Sequence, residues 1–118
     1  MKIEINGKIG AAEARTVRRS VADTLKKDRA DGTISISLVG DALMRRLNRE
    51  YRKKDKTTDV LSFNIDENGI LGDIYISLPV AKRQAREYSV TLKDELVRLA
   101  VHGTLHVLGY THKEMGIK

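Results

Sequence analysis

At 118 residues the chain is long enough for one domain, spanning 1–118, and too short for two. It has no cysteine, which excludes disulfides and thiolate metal sites and leaves nitrogen and oxygen to hold any ion. The formal net charge is +6, which suits a polyanionic partner. No apolar run approaches the length of a membrane span, and the N-terminal MKIEINGKIG does not read as a signal peptide. The expected setting is therefore the cytoplasm, with no membrane partner.

Met1, Ile3 and Ile5 alternate with polar residues, as in a short strand. Ala14, Val17, Val21 and Leu25 then recur at helical spacing through roughly Ala11 to Lys27, and Asp31-Gly32 breaks the chain. Thr33 to Val39 alternates again, with Ile34, Ile36 and Leu38 on one face. Gly40-Asp41 ends that strand and offers Asp41 as the N-cap of a helix expected to bury Leu43, Met44, Leu47 and Tyr51. Two strands follow, near Val60–Ile65 and Leu71–Ser77, joined through Asp66-Glu67-Asn68-Gly69, whose Asn-Gly is a hairpin signal. Pro79 fits the first turn of a helix running to about Tyr88. Thr91 and Asp94 form an N-terminal cap for the last and longest helix, Leu92 to Leu108, which Gly109 stops in a left-handed cap.

The order is β-α-β-α-β-β-α-α. Strand-helix-strand units favour parallel neighbours and the hairpin adds an antiparallel pair. The expectation is an α+β domain: a small mixed sheet of about four strands with helices mainly on one face. Between Arg45 and Lys56 the basic residues Arg45, Arg46, Arg49, Arg52, Lys53, Lys54 and Lys56 meet only Glu50 and Asp55. That run reads either as a solvated helix face or as a phosphate-binding surface. With four Tyr, one Phe and no Trp, a base-stacking platform of the RNA-recognition-motif or OB type is not expected.

All three histidines lie in one stretch, His102, His106 and His112. The first two are one turn apart on a helix, and the third follows the helix-ending Gly109. Three imidazoles gripping one ion leave a fourth position open for water, the arrangement of a catalytic rather than a structural zinc. The expected metal site is thus on the C-terminal helix, with Zn2+ as its ion. The spacing H-x-x-x-H-x-x-G-x-x-H is that of the metzincin peptidases, which place a glutamate general base directly after the first histidine. Here that position is Gly103, which has no side chain to take a proton.

Three blocks carry a closer resemblance. Tyr51–Phe63 (YRKKDKTTDVLSF), Leu71–Ser77 (LGDIYIS) and Val101–His112 (VHGTLHVLGYTH) resemble the YbeY family of bacterial endoribonucleases, in that family's order and spacing. The resemblance implies a zinc-dependent, single-strand-specific endoribonuclease acting in rRNA maturation and ribosome quality control. It implies His102, His106 and His112 as metal ligands and Arg52 as a functional arginine beside the metal. Its implied partners are single-stranded RNA, rRNA, and the ribosome or ribosomal proteins. Thr111, Thr57 and Asn64 stand where the family usually has Asp, Pro and Pro, and the chain stops at Lys118 where most members continue into an acidic segment. A ribosome-assembly factor with an architectural metal is the alternative. Asp59, Asp73 and Glu95 are possible proton acceptors but read more readily as turn, strand-end or surface carboxylates. Ser62 and Ser77 read as sheet residues.

Overall fold

A computed structural model describes residues 1–110. Its elements are β1 (Lys2–Asn6), α1 (Ala11–Lys27), β2 (Thr33–Val39), α2 (Asp41–Arg52), β3 (Val60–Glu67), β4 (Ile70–Ser77), α3 (Leu78–Glu87) and α4 (Leu92–Val107). The order and the α+β class are those expected, and α1 has the bounds its periodicity gave. The sheet runs β1-β2-β4-β3. β1 and β2 are parallel, β2 and β4 are parallel, and β3 pairs antiparallel with β4, so β3 is an edge strand.

The strand period sorts residues between two faces. Ile34, Ile36, Ile74 and Ile76 point to one side, where Val17, Val21 and Leu25 of α1 and Leu96, Leu99, Ala100 and Val107 of α4 complete the core. Leu61, opposite Tyr75 in the hairpin register, points the other way with Phe63. On that second face Tyr51 of α2 meets Phe63 edge-on, with ring centroids 5.3 Å apart, and Phe63 meets Tyr75 at 5.9 Å. With Ala81 of α3 added, three helices build the main core, and α2 covers the opposite face.

α2 departs from expectation at both ends. Asp41 is its first helical residue and not its N-cap; Gly40 holds the cap position without a side-chain bond. The Asp41 carboxylate accepts from the Ser77 hydroxyl at 3.2 Å instead. Its negative charge still favours the helix N-terminus, while the hydroxyl at the end of β4 supplies the donor. Tyr51 is 61% exposed, not buried, and its ring meets the edge of the sheet's outer strand through Phe63. Asn48 takes the buried place, at 3% exposure.

The hairpin is longer than expected. Its turn contracts to Asn68-Gly69, with φ of 53° and 77°, the pair of positive values a two-residue type I′ turn requires. A register shift between Asn64 and Glu67 marks an irregularity in β3, and Asp66 within it has φ of 48°. Ser77 ends β4 and also caps α3, its hydroxyl accepting from the Val80 N–H at 3.3 Å.

Candidate functional site

α4 is fixed at both ends and along its length. The Thr91 hydroxyl accepts from the Asp94 N–H at 3.0 Å, satisfying one of the donors a helix start leaves open. At the other end Gly109, at φ 93°, donates to His106 O and Tyr110 donates to Leu105 O, both at 3.0 Å. These are the two bonds of a Schellman motif, so the expected left-handed stop is present. Between the ends the helix lies close against the sheet. A Cβ on Gly103 would meet Ile74 Cγ2 at 2.8 Å and Ser62 Oγ at 3.0 Å, and one on Gly72 of β4 would meet Val107 Cγ1 at 2.8 Å. Position 103 thus has no room for the glutamate of a metzincin. Asn64 adds a tie from β3, donating to the Val107 carbonyl at 2.5 Å.

Glu95 is not a surface carboxylate. It is 1% exposed, and Arg98 one turn on binds both its oxygens, Nε to Oε1 at 2.9 Å and Nη2 to Oε2 at 2.7 Å. The Glu95 hydrogen bond raises the Arg98 pKa above its ordinary value. Arg98 also lies over the Tyr88 ring, 5.8 Å from its centroid. This pair anchors the first half of α4 and takes no part in the cleft.

Gly103 turns toward the sheet and brings His102 and His106 beside the edge strand. Their Nε2 atoms are 3.0 Å apart. Two nitrogens each about 2.0–2.1 Å from one tetrahedral zinc stand about 3.3 Å apart, so the rings need only a few tenths of an ångström to share an ion. In a chain without cysteine, a nitrogen donor set suits that metal. Among the described residues no group of three histidines, cysteines or carboxylates is gathered. The third expected ligand, His112, lies outside the described residues, as does Thr111.

The two histidines line one wall of an open cleft of about 540 Å³. Val60, Leu61 and Ser62 of β3 line it, together with Asn48 and Arg52 of α2 and Lys54, Lys56, Thr58 and Asp59 of the following loop. The site therefore lies along the edge of the sheet that β3 forms among the described residues. Arg52 reaches across that edge and donates from Nη2 to the Ser62 carbonyl at 3.1 Å, with its guanidinium 6.0 Å from the Phe63 ring centroid. One bond leaves most of the fork's five donors for other acceptors.

The loop that carries the lysines is held by Asn48, which sequence reading had not singled out. Its side-chain amide donates to Lys56 O at 2.8 Å, and its main-chain carbonyl accepts from Lys54 N at 3.3 Å. Lys53 ends α2 in a left-handed conformation, φ 59°. Outside the cleft Asp55 accepts from Arg45 at 3.0 Å and faces Arg49 at 3.6 Å. The Arg45 hydrogen bond holds the Asp55 carboxyl below its ordinary pKa. Two arginines of the basic run are thereby engaged, while Arg52, Lys54 and Lys56 are turned into the cleft. Of the other carboxylates considered, Asp59 lines the cleft and accepts from Gln84 Nε2 at 3.3 Å. Asp73 sits opposite Phe63 on the α2 face and is not part of the lining. There Tyr75 has its pKa raised, by burial first and by Asp73 second.

This geometry can be set against known proteins. The family described as Endoribonuclease YbeY matches residues 2–116. The chain belongs to the YbeY endoribonuclease family. A protein named Endoribonuclease YbeY from Persephonella marina is 43% identical over 121 residues, covering 95% of this chain and 79% of that one. One of the same name from a Sulfurihydrogenibium species is 53% identical over 85 residues, covering 68% and 56%. The chain thus spans from about half to about four fifths of the length of these two YbeY relatives. Among solved structures, a solution structure of a Thermotoga maritima protein superposes with a TM-score of 0.66 at 32% identity, covering 93% of this chain and 74% of that one. Among the described residues no helix is long and apolar enough to cross a membrane.

Proposed function

We propose that the cleft is the active site of a zinc-dependent, single-strand-specific endoribonuclease that serves rRNA maturation and ribosome quality control in the cytoplasm. Its partners on this reading are single-stranded RNA and the ribosome or its proteins. The observation that carries the reading is the lining of one open cleft by two imidazoles with adjacent nitrogens and by a guanidinium. The names of the YbeY relatives support an RNA substrate. The ribosomal setting rests on the family resemblance of the three sequence blocks.

His102, His106 and His112 would hold the zinc as neutral imidazoles. When bound, the ion supplies Lewis acidity and an activated water. Arg52 grips the phosphate oxygens of the scissile linkage through its planar fork and offsets the negative charge that builds during displacement. Lys54 and Lys56 hold phosphates along the same strand as point charges. The Ser62 carbonyl keeps Arg52 over the strand edge before RNA arrives.

The test is cleavage of an unstructured RNA by purified protein, with metal content measured on the same sample. The expected result is near-stoichiometric zinc, cleavage that a chelator abolishes and zinc restores, and loss of both zinc and cleavage in His106→Ala. Well-metallated protein that binds RNA tightly and leaves it intact would refute the nuclease.

A further inference from the structure

Tyr51 and Phe63 stand beside the cleft without lining it. A tyrosine on the apolar stripe of an amphipathic helix is ordinarily covered, yet Tyr51 is 61% exposed. Its ring is not loose: it meets Phe63 edge to face at 71° and 5.3 Å, and Phe63 meets Tyr75 at 77° and 5.9 Å. In a T-shaped contact Phe63 covers at most one face of Tyr51, which leaves at least one face of a braced ring without Phe63 against it. The next residue is Arg52, whose guanidinium lies 6.0 Å from the same Phe63 ring. A phosphate gripped by Arg52 therefore has an uncovered aromatic surface within reach of its neighbouring nucleotide. Lys53 follows and adds charge that suits a polyanion rather than an apolar partner.

We propose that Tyr51, braced by Phe63, is a stacking subsite for one unpaired base of the RNA next to the phosphate held by Arg52. The subsite rests on the RNA-cleaving reading of the cleft and adds to it a physical source of single-strand preference. A base can lie on Tyr51 only if it has left its own stack, and a paired base must first be unstacked. The subsite is tolerant of sequence, since every base has a π-face. It consists of a single ring, unlike the multi-aromatic platforms that the composition argues against.

The test uses full-length, zinc-loaded protein and single-stranded RNAs that carry 2-aminopurine or an abasic residue at successive positions. Fluorescence is read on rapid mixing, before turnover. Wild type and Tyr51→Phe should quench 2-aminopurine at one position. Tyr51→Ala should lose that quenching and bind about 5- to 150-fold more weakly, the range of one base–aromatic stack. An abasic residue at the same position should weaken wild type by a similar factor and Tyr51→Ala no further. Tyr51→Leu, which keeps an apolar contact with Phe63 and has no π-face, should behave as Tyr51→Ala does. Quenching and affinity retained in both Tyr51→Ala and Tyr51→Leu overturn the subsite, as does an abasic penalty equal in wild type and Tyr51→Ala. Cleavage measured in parallel separates the two readings. Wild type that stacks the base without cutting the strand contradicts the nuclease and keeps the subsite; wild type that cuts, with Tyr51 variants that bind equally well, removes the subsite alone.

Discussion

On one face of the sheet α4 lies against β3 and β4 with no space for even a methyl group at Gly103 or Gly72; on the other, α2 leaves its last turn in solvent with Tyr51 exposed. The close-packed face carries His102 and His106, and the open face carries Arg52 and the lysine loop. The two meet at β3, the outermost strand among the described residues. Metal ligands gain from a support that fixes their separation to tenths of an ångström, because coordination distances are narrow. Groups that hold a phosphate strand gain from reach and can be mounted on a helix end and a loop. On the proposed reading, the division of labour at the cleft follows from how the two faces are packed.

The sharpest test of the rigid face is Arg98→Ala. It leaves the fully buried Glu95 carboxylate without its two bonds, a loss of about 3–5 kcal/mol for a buried pair. The lower figure, about 3 kcal/mol, is expected because the Arg98 side chain is 48% exposed, and urea unfolding should report it. A change near zero would mean that the pair anchors nothing. Gly103→Ala should cost less. Overpacking against the fully buried Ile74 costs about 1–3 kcal/mol, while alanine gains about 1 kcal/mol over glycine in a helix. The net expectation is destabilisation by about 1 kcal/mol, and a stabilised variant would show that α4 does not press on the sheet. The smallest effect belongs to the open face. Lys56→Ala should leave the unfolding midpoint unchanged and reduce the slope of log affinity for single-stranded RNA against log salt by ~0.7, one phosphate contact. An unchanged slope would remove Lys56 from the RNA path.

Much of the fold was legible because its periods are clean. Val17, Val21 and Leu25 recur every four residues, the isoleucines of β2 every two, and Thr91 and Gly109 bracket α4 with their own backbone chemistry. What could not be read depends on tertiary placement. Tyr51 follows the apolar period of α2, but the period does not tell where the sheet beneath it ends. Asn48 looks like an interruption of the same stripe; only the returning loop supplies the Lys56 carbonyl that its side-chain amide meets. Glu95 resembles a first-turn acid placed for the helix dipole, and its burial becomes tolerable through Arg98 three residues on. At the site, spacing singled out the histidines and resemblance singled out Arg52, and the fold brings His102, His106 and Arg52 into one cleft. The edge strand that forms the floor of that cleft was invisible in sequence, since which strand lies outermost is settled by the crossover from β2 to β4.

The central claim is that the histidines and Arg52, which line one cleft, act on one phosphodiester. Single-turnover cleavage of an unstructured RNA by His106→Ala, Arg52→Ala and the double variant tests it directly. Arg52→Ala alone should slow cleavage about 100- to 1,000-fold with zinc retained, His106→Ala should abolish metal-dependent cleavage, and the double variant should be no worse than His106→Ala. Cleavage at the wild-type rate in either single variant, with the fold intact, would contradict the account.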